Sequence, residues 1–150
     1  MPMISTKTAF IFREHKIHKI ERIIMSNENN VKELTPRELA EFIVKTLDSK
    51  KARKIKLLRI EDKTVLADYF VICEGTSNTQ IRALAGEVEE KLAEIGMPLL
   101  HVEGYNEASW TVLDSNSVMT HIFSRDAREF YKLEKLWSEA EDIDISSLLV

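Results

Sequence analysis

The residues from Ala67 to Gly96, ADYFVICEGTSNTQIRALAGEVEEKLAEIG, constrain the fold more than any other part of the chain. Tyr69–Cys73 is an unbroken run of aromatic and branched side chains between Asp68 and Glu74-Gly75, the pattern of a strand buried on both faces. The chain turns at Gly75-Thr76, where Gly75 reads as a turn residue, and Ser77 is placed to cap a helix. Gln80, three positions on, completes a capping box. Ile81, Leu84, Ala85, Val88, Leu92 and Ile95 then fall on one helical stripe. Gly96 can take the left-handed conformation that ends a helix, and Pro98 blocks its continuation. A doubly buried strand feeding an amphipathic helix predicts an α/β domain.

One such domain accounts for the chain. With 150 residues, 44% of them hydrophobic, there is enough apolar material for a single core and too little length for two. No uncharged apolar run approaches the roughly 18 residues of a membrane span, and no segment has the form of a secretory signal. Cys73 is the only cysteine, which excludes a disulfide framework and a thiolate metal cluster; its place in the buried run makes it a core residue. These features describe a reduced, cytoplasmic protein with no membrane partner.

Charge divides the chain in two. Residues 1–25 carry five cations against Glu14 and Glu21, a net of +3, which leaves −7 for residues 26–150 out of −4 overall. An acidic body argues against a nonspecific grip on nucleic-acid phosphates and favours a protein partner. Residues 1–30 read as a poorly ordered basic leader, with Met1–Ile24 an upstream extension before Met25. His15 and His18 stand three apart there, without the further ligands that a metal site needs.

The domain is expected over residues 31–138. Thr35-Pro36-Arg37-Glu38 combines an N-cap, a proline at the first helical position and a capping-box glutamate, predicting a helix to about Asp48. Lys50, Lys51, Arg53, Lys54 and Lys56 form a basic cluster, read as a solvated loop or as a contact with RNA. Ile55–Ile60, Leu99–Glu103, Ser109–Leu113 and Val118–Phe123 read as strands, which with Tyr69–Cys73 makes a mixed, roughly five-stranded sheet packed by helices. Ser124 caps a last helix with a bend near Tyr131, and residues 139–150 read as an acidic, mobile tail.

The hairpin suggests a site. Pairing Leu113 with Val118 across the turn sets Val112 against Met119 and Trp110 against His121. Alternation then puts Trp110, Val112, Met119 and His121 on one face, and Thr111, Leu113, Val118, Thr120 and Ile122 on the other. The first set, large and polar-tipped, suits an interaction surface or a partly covered core face, and the pattern alone leaves both readings open.

Chemistry is harder to place. The strand–Gly75-Thr76-Ser77–helix junction is similar to the phosphate-holding turn of nucleotidyltransferases. Those enzymes also need paired carboxylates for Mg²⁺. Glu87 and Glu89 stand two apart within a helix, roughly 200° around its axis, and cannot share one ion. Walker, G-x-G-x-x-G, nucleophile-elbow and zinc patterns are absent, so no cofactor and no catalytic residue is expected.

The segments ADYFVICEGTSN, HVEGYNEASWTVLD, VMTHIF and AREFYKLEKLW, in this order and spacing between Leu34 and Trp137, resemble the ribosomal silencing factor, or Iojap, family. The resemblance implies a nucleotidyltransferase-like fold without catalytic residues. It also implies a repressor that binds the large ribosomal subunit at its protein number fourteen and keeps the small subunit from joining, lowering translation when nutrients are scarce. Homodimers are implied as well. The basic leader and acidic tail have no counterpart in the shared motifs. With the resemblance added, the expected partner-binding residues are Trp110, Met119 and His121, flanked by Glu103 and Asp114 and extended by Tyr131. The rival function is a nucleotide- or phosphate-handling enzyme at Gly75-Thr76-Ser77.

Overall fold

A computed structural model describes residues 33–150, so the expectations for residues 1–30 lie outside the described residues. The elements in chain order are α1 (Pro36–Ser49), β1 (Arg53–Arg59), β2 (Tyr69–Gly75), α2 (Asn78–Glu94), β3 (His101–Glu103), β4 (Trp110–Asp114), β5 (Val118–Ser124), α3 (Arg125–Tyr131), α4 (Leu133–Leu136), β6 (Glu141–Ile143) and a 3-10 turn at Ser146–Leu148.

The six strands form one mixed sheet in the order β3-β4-β5-β2-β1-β6. β2 lies inside it, parallel to β5 and antiparallel to β1, and all seven of its residues are buried. That is the environment its continuous apolar run requires. Helices α1 and α2 cover one face through Leu39, Ile43, Leu47, Ile81, Leu84 and Leu92, which pack on Leu57, Val71, Leu113 and Ile122 of the sheet. The other face carries Leu58, Phe70, Ile72, Trp110, Val112, Met119 and Phe123, covered by the short α3–α4 segment through Leu133, Tyr131, Leu136 and Trp137.

The predicted caps hold with one change. Thr35 and Glu38 form both halves of a capping box on α1. Ser77 Oγ accepts from the Gln80 N–H at 3.1 Å, but the Gln80 side chain reaches past Ser77 to accept from the Thr76 N–H and hydroxyl. The reciprocal half of that box is therefore displaced by one residue. At the far end of α2, Gly96 has φ +75°; its N–H donates to Ala93 O and the Met97 N–H to Leu92 O, the paired bonds of a Schellman motif. The bend near Tyr131 is a break at Lys132, whose left-handed backbone (φ 47°) separates α3 from α4.

Gly75 serves packing rather than a turn. Its φ is not positive, and a Cβ at this position would lie 2.6 Å from Ile81 Cγ1 and 3.3 Å from Ile81 N. Ile81 is wholly buried and anchored in the first turn of α2, so it cannot retreat. Gly75→Ala is expected to destabilise by about 1–3 kcal/mol, the cost of overpacking a core. A urea midpoint unchanged from the wild type would show that α2 can shift away from β2.

The acidic tail corrects the expectation of mobility. Glu141–Ile143 adds a sixth strand, pairing with β1 as Leu57↔Ile143, Leu58↔Asp142 and Arg59↔Glu141. Ile143 and Ile145 are buried beneath this edge, in the core on the α1 side. The acidic side chains just before them meet cations of β1, Lys56–Asp142 at 3.4 Å and Arg59–Glu141 at 3.3 Å. The Val150 N–H donates to Asp48 Oδ2 at the end of α1. The physical reason is the alternation Asp142-Ile143-Asp144-Ile145, a period-two pattern that net acidity obscures.

Candidate functional site

The β4–β5 hairpin pairs Trp110↔Phe123, Val112↔His121 and Asp114↔Met119. This register is displaced by two residues from the one expected. Because side chains alternate with period two, an even displacement leaves every residue on its expected face. Trp110, Val112, Met119 and His121 share a face as expected, and Phe123 joins them.

That face is an aromatic stack inside the protein. Trp110 stacks on Phe123 at 5.1 Å between ring centroids and meets Tyr131 of α3 at 4.8 Å; Phe70 lies edge-on to His121 at 4.7 Å and to Trp137 at 5.4 Å. Met119 and His121 are fully buried and Trp110 is 9% exposed. As they stand, Met119 and His121 offer no surface to a partner, which corrects their expected role. The reason lies in the next elements of the chain: α3–α4, which follows β5 directly, folds back over the hairpin and covers it. Asp114 is also fully buried, its Oδ1 accepting from the Asn116 N–H at 2.9 Å, so it shapes the hairpin turn instead of flanking a surface. Glu103, half-buried on β3, contacts His101 at 3.0 Å, and Tyr131 is partly exposed.

His121 has a definable protonation state. The Trp110 indole N–H, which can only donate, points at His121 Nδ1 at 3.1 Å. Nδ1 is therefore the acceptor, and the neutral ring carries its proton on Nε2, which is buried without a hydrogen-bond partner among the described residues. Burial pushes the imidazole pKa down to about 3. A proton on Nδ1 would in addition confront the indole N–H. Below about pH 6.5 the unfolded chain takes up a proton at this residue that the folded chain refuses. The unfolded state thus binds more protons from about pH 6.5 down to about pH 3, and stability falls as pH falls through that window. Between about pH 7 and pH 5 this amounts to about 2 kcal/mol, at about 1.4 kcal/mol per pH unit below the unfolded value. His121→Gln should remove this part of the acid sensitivity, read from urea unfolding at the two pH values. Equal pH dependence in both proteins would show that His121 titrates freely in the fold.

The aromatic stack is most exposed at Phe130. Phe130, 67% exposed, sits edge-on against Tyr131 at 5.1 Å, so a line of rings runs Phe123–Trp110–Tyr131–Phe130 from the core to solvent. Phe130 is the residue the sequence reading did not single out. Neighbouring helical residues lie about 100° apart, so Phe130 and Tyr131 cannot both face the sheet. The sequence does not say which one turns outward.

The Gly75-Thr76-Ser77 junction opens onto a cavity of about 330 Å³ lined also by Arg53, Glu74, Asn78, Ser124, Arg125 and Asp126. The carboxylate nearest in sequence, Glu74, is buried and paired with Arg128 at 3.5 Å. Among the described residues no group of three or more His, Cys, Asp or Glu is placed to hold a metal ion. Cys73 is wholly buried, and burial pushes its thiol up to about 12, consistent with a core role. No helix among the described residues is long and apolar enough to cross a membrane.

Residues 33–149 match the family described as "Ribosomal silencing factor during starvation". The match takes in the tail, which is therefore part of the family domain and not an appendage to it. The chain is 34% identical over 116 residues to the ribosomal silencing factor RsfS of Halalkalibacterium halodurans, covering 77% of this chain and 99% of that protein. It is 40% identical over 98 residues to RsfS of Bacillus subtilis, covering 65% of this chain and 83% of that one. A crystal structure of a Chromobacterium violaceum protein superposes with a TM-score of 0.69 at 28% identity, over 70% of this chain and 88% of that one. With its mixed sheet, its strand–turn–helix nucleus and its tail all inside the matched region, this chain belongs to the ribosomal silencing factor family.

Proposed function

We propose that this protein represses translation by binding the large ribosomal subunit through ribosomal protein number fourteen, so that the small subunit cannot join. Family membership supports the ribosomal reading. The observation that carries the binding surface is the outward end of the aromatic stack, Phe130 beside Tyr131, standing on a buried Trp110. An exposed aromatic backed by rigid rings supplies contact area at low entropic cost, the property of interface hot spots. Trp110 then acts as a pedestal and not as a contact. Glu103, half-exposed at the β3 edge, contributes charge toward a basic partner and affects chiefly the encounter rate. Repression needs no catalysis, since occupying a surface that the small subunit requires is sufficient. Self-association, implied by the resemblance, belongs to the same proposal and is read from sedimentation of the free protein.

The test is co-sedimentation with purified large subunits, with subunit joining followed by light scattering. Phe130→Ala should weaken binding roughly thirtyfold, the equivalent of about 2 kcal/mol at a hot spot, with an unchanged melting temperature. Normal binding by this variant would remove the site. No binding by the wild-type chain would remove the function.

A further inference from the structure

We propose that a basic cleft between β1 and the α3–α4 hinge grips the phosphate backbone of an RNA duplex, as a second contact surface separate from the Phe130 site. The cleft has a volume of about 740 Å³. Its cations are Lys54, Lys56, Arg125, Arg128, Lys132 and Lys135, set against Glu74, Glu129 and Glu134. That is a local +3 in a chain whose net charge is −4. Net acidity therefore conceals the one property that phosphate binding demands.

The cations have different duties. Arg128 is 8% exposed and builds the floor: its Nε donates to Glu134 Oε1 at 2.5 Å, its Nη1 donates to Lys54 O at 2.7 Å, and Glu74 lies at 3.5 Å. It locks β1, β2 and α4 together and is neutralised by its own carboxylates. Lys56 is engaged by Asp142. Lys54, Arg125, Lys132 and Lys135 are exposed and make no ion pair with any described residue, though they converge from β1, the start of α3, the hinge and α4. A solvated charge run would lie along one loop. Here four free cations from separate elements meet over a rigid floor.

Two of them are held where lysine is a poor choice of residue. Lys54 (φ 49°) and Lys132 (φ 47°) are left-handed, a conformation that glycine adopts without strain. Lys54 also sits where the β1–β2 register shifts, an irregularity of the kind that re-aims side chains. At both positions the backbone would accept glycine at least as readily, as it would at Lys51 outside the cleft, so either lysine can be replaced by glycine without straining the fold.

The lining chooses the ligand. It holds no aromatic ring on which a base could stack, which excludes the usual platform for single strands. Contacts confined to charge suit the backbone of a duplex, read without regard to sequence. The choice of RNA over another polyanion rests on the ribosomal reading above.

The experiment measures fluorescence anisotropy of a labelled RNA duplex of about 20 base pairs with the full chain, at about 50 and about 200 mM KCl. With four phosphate contacts, affinity should fall roughly a hundredfold between the two salts. The variant Lys54→Gly/Lys132→Gly removes two contacts while relieving both left-handed lysines, so it should melt no lower than the wild type. It should bind at least tenfold more weakly and lose about two units of salt slope. No duplex binding at the lower salt, or equal affinity and slope in the variant, would overturn the proposal. Displacement of the duplex by millimolar ATP would overturn it in favour of a nucleotide pocket. Equal competition by a polyglutamate peptide would reduce it to cation exchange. Large-subunit co-sedimentation keeps the two readings apart: its loss in the wild type sinks the ribosomal function, while the free-duplex result alone decides the cleft.

Discussion

Trp110→Ala should lower stability by about 3–5 kcal/mol, the cost of emptying a large buried aromatic site. In a domain of this size that is a fall of roughly 10–20 °C in melting temperature. The ring is stacked on Phe123, packed by Tyr131 and His121 and 9% exposed, so its removal opens a cavity walled by these three rings. It also removes the indole N–H that His121 Nδ1 accepts from, leaving that buried nitrogen with no other donor among the described residues. Trp110→Phe separates the two effects, since it keeps most of the stacking and loses the N–H, at about 1–3 kcal/mol. If Trp110→Ala melts with the wild type, the ring is not part of the core. A loss of ribosome binding in this variant would by itself say nothing about contact, because the α3–α4 cover that presents Phe130 rests on the same ring.

Deleting Glu141–Val150 should cost a similar amount. Ile143 and Ile145 are each buried to more than nine-tenths, and exposing their sites forfeits about 3–6 kcal/mol at 1.5–3 kcal/mol per side chain. The surface ion pairs of Lys56 and Arg59 add little to that sum. The deletion also bares β1 as a sheet edge, whose unpaired backbone groups invite association between chains. Urea unfolding together with light scattering would register both effects. A truncated chain with an unchanged midpoint and no association would restore the tail to the mobile segment that its acidity suggests.

Much of this protein is written locally. Capping at Thr35, Ser77 and Ser124, the Gly96 terminus and the doubly buried run at Tyr69–Cys73 follow from neighbours within a few residues, and each stands where the pattern puts it. Even the hairpin faces follow, because a two-residue error in register preserves alternation. The order and spacing of the four shared segments likewise carried the family. What no local pattern contains is which other segment lands on a given face. Trp110, Met119 and His121 have the composition of either a surface or a core, and only α3–α4 folding back over them decides for core. The same holds for the tail, whose alternating isoleucines need the bare edge of β1 to become a strand. It holds for the cleft, where lysines and arginines scattered from Lys54 to Lys135 become neighbours only through the sheet and the buried Arg128 beneath them. Periodicity fixes which way a side chain points relative to its own element; burial and convergence of charge are set by contacts far apart in sequence, and these exist only once the chain has closed on itself.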